Sequence, residues 1–473
     1  MRRRELLELA VSSAAIAQLF NTSCQRRTSG NGVGEDFGWA TPVAFSRKVI
    51  DAKVSVDWEQ AVAQTTPFTF GSNDYEIINP KKAADSVYQD RLAQLNIRLI
   101  RIHNSRLSDR WSDPDTKTWD EAKIKAGYDV SYPQNPTLIQ NIPGWPKWMA
   151  QDEDGLLAPS EYDRYAAFCA ELVEVLNRRQ QRQVRYWEPL NEKDVPYKKA
   201  GKLDELWKIY NKVAVAMKAK DSSIQVGGPA LTWDEPRRLA SFLQACGPNV
   251  DFISWHRYGS GDAKEPTYKL MSYTPKYGKQ VHKFRKVAAK YIPDRSVPLL
   301  LGEYNINYSW KSGEKRQNTH IGAVWFASVL KHLADAGIEM ATSWHLKDGI
   351  YGMIDRKNHL RPAATVFAWG IQYLIGTVML TESDHHYVEA MAVRQVNGER
   401  SLLLINKSAK AARLSLQGTP DASVAETLPI FRLDAKGVTK AKLAIAALDV
   451  EPLLLNPYSL VLLRFPRSAR PVN

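Results

Sequence analysis

Eight short β-rich runs, separated by helix-like stretches, predict an α/β protein built on a closed (β/α)8 TIM barrel with an antiparallel β-sandwich domain after it. Three observations carry this prediction. Strand-like runs alternate with helical periodicity over 65–370. Nearly every run stops in polar or aromatic residues. Beyond about 370 the helices give way to closely spaced strands.

The runs lie at 68–71, 97–103, 137–142, 184–189, 224–229, 251–256, 297–304 and 339–345. Helical stretches between them include 83–94, 160–177, 203–220, 279–291 and 319–336. Such alternation implies parallel pairing through crossovers, and eight units close into a barrel. The rival, a doubly wound open sheet, would want an early glycine-rich phosphate turn, and neither GxGxxG nor GxxxxGK[ST] occurs. Further runs at 387–395, 401–406, 413–417, 424–433 and 458–465 place the β-sandwich over 371–473. Alternation over 43–58 predicts that 40–60 adds strands to it.

At 473 residues the chain has room for one large domain and a smaller one, and its 44% hydrophobic content excludes a disordered chain. A formal charge of +13 favours a polyanionic partner. No zinc finger, RNP motif or long Lys/Arg block is present, so nucleic acid is not expected and an anionic glycan remains. Arg2-Arg3-Arg4 before Leu6-Leu7 and the small apolar run 10–17 predicts an export signal, resembling the twin-arginine kind, with a flexible tether up to residue 35. It is too short for a membrane span, and an amphipathic helix is the alternative. The protein is therefore expected to be exported. Cys24 stands where a bacterial lipoprotein is acylated, although Asn21-Thr22-Ser23 lacks the usual aliphatic residue. Cys169 and Cys246 are too few and too distant for a disulfide framework, and Cys169 falls in a helical pattern as a buried thiol. With no HExxH and no Cys/His cluster, no cofactor or metal is expected; His385-His386 reads as a surface pair.

The strand ends carry the chemistry. They present Arg101 and His103, Trp145 and Trp148, Asn191 and Glu192, His256 and Tyr258, Glu303 and Asn305, then Trp344 and His345. In a barrel these ends meet on the face where catalytic groups collect. Glu192 follows the fourth strand and Glu303 ends the seventh, which sets two acids across the mouth from each other. Facing carboxyls are what glycosidic cleavage needs: one protonates the leaving oxygen while the other attacks the anomeric carbon or activates water. An Asn-Glu pair alone has no weight, and the joint placement is the signal.

The stretches IRLIRIHN, GWPKWM, YWEPLNE, VGGPALT, DFISWHRYG and LLLGEYNINYS, with NPYSLVLLRF near the end, resemble the clan A glycoside hydrolases. Within the clan they are most similar to family 39, the β-xylosidase and α-L-iduronidase family. The resemblance implies a retaining, double-displacement glycoside hydrolase acting on an oligo- or polysaccharide. Glu192 would be the general acid/base and Glu303 the nucleophile. Asn191 would bind the sugar 2-hydroxyl, and Arg101 would keep Glu303 ionised. His256 and Tyr258 would line the catalytic subsite, with the Tyr258 hydroxyl orienting the nucleophile, and Trp344 would floor it. Trp148 joins the substrate-binding set, and His103 either orients or binds. Where the family often follows its acid/base Glu with Pro, this chain has Lys193-Asp194, and Lys193 would depress the neighbouring acid. Arg106, Arg110 and Lys347 follow barrel strands and are expected to draw an anionic glycan to the mouth. The alternative function is a non-catalytic carbohydrate-binding or envelope-attachment protein on the same scaffold.

Overall fold

The computed structural model describes residues 49–130, 132–310, 313–420 and 427–466. The export signal, its tether, Cys24 and residues 40–48 lie outside the described residues.

Strand β1 (Ile50–Thr65) alternates buried and exposed side chains over its first half, as a strand with one face in a core must. The chain then turns. The Thr66 hydroxyl accepts the Phe68 amide hydrogen at 3.1 Å, and the Thr69 hydroxyl accepts that of Thr66 at 3.2 Å. Pro67 presets φ and brings no donor. Pro67–Phe70 is therefore a 3-10 turn where a strand over 68–71 is expected, and the first barrel strand is β2 (Gly71–Asp74). A side chain at Gly71 would strike the Ala341 and Leu99 carbonyl oxygens at 2.7 and 2.9 Å, so glycine lets β2 lie between its neighbours.

β3 (Leu99–Ile102), β4 (Thr137–Ile142), β5 (Tyr186–Pro189), β6 (Gln225–Leu231), β7 (Phe252–His256), β8 (Leu299–Glu303) and β9 (Met340–Ser343) follow. Each pairs in parallel with the strand before it, and β9 returns to β2 to close the barrel. The outer ring contains α1 (Ser86–Leu95), α2 (Glu121–Asp129), α3 (Tyr162–Val173), α4 (Leu203–Lys220), α5 (Pro236–Cys246), α6 (Pro275–Tyr291), α7 (His320–Asp335) and α8 (Pro362–Tyr373). Local chemistry starts them. Asp85 and Asp120 cap the amides of Tyr88 and Lys123, and proline opens α5, α6 and α8. Cys169 and Cys246 are free and buried. Among the described residues no helix is long and apolar enough to cross a membrane.

The β-domain uses β10 (Gly376–Ser383), β11 (Val388–Arg394), β12 (Arg400–Asn406), β13 (Ala412–Gln417), β14 (Thr427–Asp434), β15 (Gly437–Ala444), β16 (Leu453–Leu455) and β17 (Ser459–Phe465). With β1 they make one continuous nine-stranded sheet in the order β15-β14-β17-β12-β11-β10-β1-β13-β16, antiparallel except for the β1–β13 pair. Three of these strands leave no clear apolar alternation in the sequence. β10 follows α8 almost at once, β15 is an exposed lysine-bearing edge, and β16 has three residues. One face of the sheet closes over a second core that includes Val54, Met379, Leu404, Leu414 and Val461. The other face, through Met391, Leu403 and Leu462, joins the core shared by the barrel helices.

α7 runs between barrel and β-domain, and a buried ion cluster crosses that seam. Glu389 on β11 accepts from Ser328 at 2.5 Å, faces His332 Nε2 at 2.8 Å, and pairs with the Lys407 ammonium. Lys407 also reaches Thr274 at 3.2 Å. Burial would raise the Glu389 carboxyl, but His332 and Lys407 outweigh it and hold it at about 2. A depressed folded value means stability that is present above the ordinary carboxylate range and lost on acidification. Urea denaturation across pH is expected to show stability falling from near 4.5 towards about 2, and Glu389→Gln should remove that dependence. At neutral pH the same variant should cost roughly 3–5 kcal/mol, because it leaves Lys407 buried and unpaired. Adding Lys407→Met should recover most of the loss.

Candidate active site

The C-terminal ends of the barrel strands surround a cavity of about 450 Å³ whose lining includes His103, Asn191, Glu192, Tyr258, Glu303 and Trp344. Its centre is organised from behind by Arg101. This side chain is fully buried, and its guanidinium donates to Glu188 Oε2 at 2.7 Å, Asn73 Oδ1 at 2.9 Å, Glu303 Oε1 at 3.1 Å and Asn191 Oδ1 at 2.6 Å. Asn141 joins by donating to Glu188 at 2.8 Å. Arginine has no acceptor, so the Asn191 atom it meets is the amide oxygen, and the Asn191 NH₂ is left to serve the cavity.

Glu303 lies at the cavity floor, its side chain only 7% exposed. Its Oε2 accepts the Tyr258 hydroxyl at 2.8 Å, and its Oε1 has His256 Nε2 at 3.7 Å and His103 Nε2 at 3.9 Å beside it. Burial pushes the Glu303 carboxyl above its usual range. The His256 charge opposes that rise, Glu192 adds to it, and Arg101 and the Tyr258 hydrogen bond pull it down.

Glu192 occupies the other wall and is 36% exposed. Its position follows from how β5 ends. Pro189 stops the ladder, and the Leu190 amide donates back to the Ile142 carbonyl at 2.6 Å. Leu190 and Glu192 then both take left-handed backbone, at φ 80° and 52°, which costs roughly 1–3 kcal/mol per residue and persists only if neighbours impose it. They do. The Glu192 amide donates to the Ala230 carbonyl at 3.0 Å. Asp194 accepts the Thr232 amide at 2.9 Å and hydroxyl at 2.8 Å, and pairs with buried Arg238. Glu192 Oε1 thereby meets His256 Nδ1 at 2.7 Å. Burial works against a charged His256, but the Glu303 charge and the bond to Glu192 prevail and raise it above 6.5. His103 behaves oppositely: burial, then Arg101, pushes it well below its ordinary value, and its Nδ1 meets Asn141 Oδ1 at 2.7 Å.

Oxygens of Glu192 and Glu303 and a ring nitrogen of His256 all lie within 4.8 Å of one another. The trio could also chelate a divalent cation, although Arg101, Tyr258 and the mutual His256 contacts already occupy these groups. Carboxyls about 5–5.5 Å apart suit direct attack by one of them, whereas about 6.5–9.5 Å leaves room for water between. An oxygen of Glu192 and one of Glu303 come within 4.8 Å, on the close side of that division.

Several expected roles are corrected. Arg101 and His256 are fully buried behind the carboxyls and are not among the residues lining the cavity: Arg101 meets Glu303 as expected, whereas His256 stands behind the subsite it was expected to line. Trp148 turns away from the cavity, edge-on to Phe168 with the Arg164 guanidinium over its face, because the loop after β4 folds against α3. Lys193 bends back over the Trp145 ring at 4.9 Å, and its ammonium makes no ion pair with Glu192. Arg106 and Arg110 point to solvent, and Lys347 lies 4.6 Å over the Tyr88 ring; none of the three lines the cavity. His345 is buried beneath Trp344, facing Asp348 at 3.1 Å.

Other residues were missed. Tyr75, Trp233, Tyr308 and Trp310 line the cavity, and Glu188 anchors Arg101. Glu188 had a signal: an acid between Trp187 and Pro189 in a β-rich run has to be paired if buried. Trp233, Tyr308 and Trp310 come from loops whose direction no periodicity reports.

Residues 161–357, which hold both acids, match the model of glycosyl hydrolases family 39. Over that segment the chain is similar to family 39. Over 203 residues it is 28% identical to a β-xylosidase of Geobacillus stearothermophilus, a match covering 40% of each chain. Over 105 residues it is 34% identical to a β-xylosidase of Caldicellulosiruptor saccharolyticus, covering 21% of this chain and 22% of that one. The chain thus spans two fifths or less of the length of these curated relatives. The fold extends further than the sequence match. A monomeric β-xylosidase from Caulobacter crescentus superposes with a TM-score of 0.64 at 15% identity, covering 89% of this chain and 100% of that one. A family 39 enzyme from Xanthomonas axonopodis pv. citri gives 0.62 at 15%, covering 88% and 97%. Arg101 and His103 precede the family 39 segment, yet they complete its site.

Arg101→Met is expected to leave Glu188 buried without its cation and Glu303 with His256 alone, and to cost roughly 3–5 kcal/mol at neutral pH. Losing Arg101 removes one of the groups that oppose the burial-driven rise of the Glu303 carboxyl, so the deficit should shrink as pH falls and Glu303 protonates. Urea denaturation at about pH 5 and pH 7.5 measures the difference; a deficit independent of pH would contradict the electrostatic account.

Proposed function

We propose that the chain is a retaining glycoside hydrolase that cleaves glycosidic bonds of an oligo- or polysaccharide by double displacement. The observation that carries this reading is the close approach of a half-buried Glu192 and a buried Glu303, an oxygen of each within 4.8 Å of the other, at the mouth of a closed barrel. The family 39 match over both acids supports it.

Glu303 attacks the anomeric carbon and forms a glycosyl ester while Glu192 protonates the departing oxygen. A water then deprotonated by Glu192 releases the sugar with its configuration retained. His256 fixes one oxygen of Glu192, so the other faces the leaving group. The Asn191 NH₂ meets the 2-hydroxyl, and Trp344 offers a face for the ring. Arg101 and the Tyr258 hydroxyl stabilise the ionised form of Glu303, which burial alone would disfavour. The relatives named as β-xylosidases make β-xylosides the first substrates to try.

Product analysis by NMR should show the initial anomer retained, and an inverted product would sink the mechanism. Glu192→Gln should lower kcat about 10²–10⁴-fold on glycosides with poor leaving groups and much less on activated aryl glycosides, because only the former need the proton. Glu303→Gln should abolish turnover on both. The acid limb of kcat/KM is expected above the ordinary carboxylate value of 4.5, since Glu303 must be ionised and burial raises it. Tyr258→Phe should move that limb higher still and cost about 10–100-fold, the worth of one hydrogen bond to a charged group.

A further inference from the structure

We propose that α6 carries a docking strip for an acidic polysaccharide, on the outside of the barrel and separate from the catalytic cavity. The inference stands whether or not the catalytic reading holds.

Lys276, Lys279, Lys283, Lys286 and Lys290 recur along α6 at alternating spacings of three and four. At 100° per residue they share an arc of about 80°, in single file over about 21 Å. All five are exposed, whereas Tyr277, Val281, Phe284 and Ala288 on the other face are buried. The helix contains no Asp or Glu over its 17 residues. Arg285, which lies off the strip, is paired with Glu339 at 2.9 Å.

Most lysines of two other helices are paired. On α4, Lys208, Lys212 and Lys218 pair with Glu205, Asp163 and Asp251 at 2.6–2.7 Å, and on α7 Lys331 pairs with Asp335 at 2.7 Å. Among the described residues no carboxylate lies within 4.0 Å of any lysine of the α6 strip. The arrangement opposes helix stability in two ways. Like charges three and four residues apart repel, and Lys276 and Lys279 sit near the N-terminus, where the helix dipole disfavours cations. Packing needs none of this, since the buried face is complete without it.

The form of the strip selects the partner. Its steps of about 4.5 and 6 Å give an axial charge density roughly a third of the one charge per about 1.7 Å that a DNA duplex carries. A helix lying on a membrane presents aromatic or aliphatic side chains for insertion, and here the exposed positions interleaved with the lysines are His282 and Ala289. A polysaccharide bearing one carboxylate or sulfate per ring is extended and sparsely charged, and suits a single file. At the two ends the Lys276 and Lys290 ammonium groups lie 4.0 and 5.2 Å over the half-buried Tyr273 and Tyr291 rings, which hold the ends of the strip in place. The attraction for an anionic glycan expected at the mouth from Arg106, Arg110 and Lys347 is thus moved to the barrel's flank.

The test uses the full chain on immobilised polygalacturonate across a salt series. One variant replaces the five strip lysines by Gln. A control replaces Lys81, Lys82, Lys436, Lys440 and Lys442, which are exposed elsewhere. At about 50 mM salt the strip variant should bind at least about tenfold more weakly, with a shallower salt slope, while the control stays within about twofold. Thermal unfolding of the strip variant should be unchanged or raised, and hydrolysis of a small aryl glycoside unchanged. Equal loss in both variants would reduce the effect to net charge and overturn the proposal. So would tighter strip-dependent binding to duplex DNA or to phosphatidylserine vesicles than to polygalacturonate.

Discussion

The mouth of this barrel depends on one buried guanidinium. Arg101 has donors only and no contact with water, so it is tolerable in the interior only when acceptors surround it. Four elements supply them: Asn73 from β2, Glu188 from β5, Asn191 from the loop after β5, and Glu303 from β8. Satisfying that one side chain sets the register of the strand ends. It also decides which atom of Asn191 faces the cavity and where the Glu303 carboxyl rests. The same interaction that makes the fold permissible makes the site.

Two acids of the same type acquire different characters from their surroundings. Glu303 is enclosed and meets charge-stabilising donors, whereas Glu192 stands on a loop and keeps one oxygen towards solvent. The loop's left-handed backbone is costly, and its support comes from Asp194, anchored by Arg238 on the next unit of the barrel. Strain at Glu192 is therefore balanced one crossover away. His256 touches both acids and so couples them, while staying out of the cavity itself.

The β-domain is joined to the barrel by the same physical device. Glu389, Lys407 and His332 are charged or chargeable groups buried at a seam, each acceptable because the others are present. β1 strengthens the join by lying between β10 and β13, so the chain segment before the barrel is paired with strands made after it. Charge that is not needed inside is placed outside, most regularly along α6.

Much of this was legible in the chain. Periodicities of 2 and 3.6 residues located seven of the barrel strands and the main helices, because burial of one face is a local pattern. Glu192 and Glu303 could be named because strand ends converge in any closed barrel. The first strand was displaced because the capping exchange between Thr66 and Thr69 overrode the β-rich composition of 68–71. β15 left no pattern because an edge strand with solvent on both sides has no apolar face to show. What the sequence by itself determined is the order of elements and the two acids at their tips. Only the tertiary structure decided that Arg101 and His256 stand behind the acids, that Trp148 turns outward and that Trp233, Tyr308 and Trp310 turn in. The direction of a loop side chain is set by which distant partner can satisfy it, and those partners lie tens to hundreds of residues away.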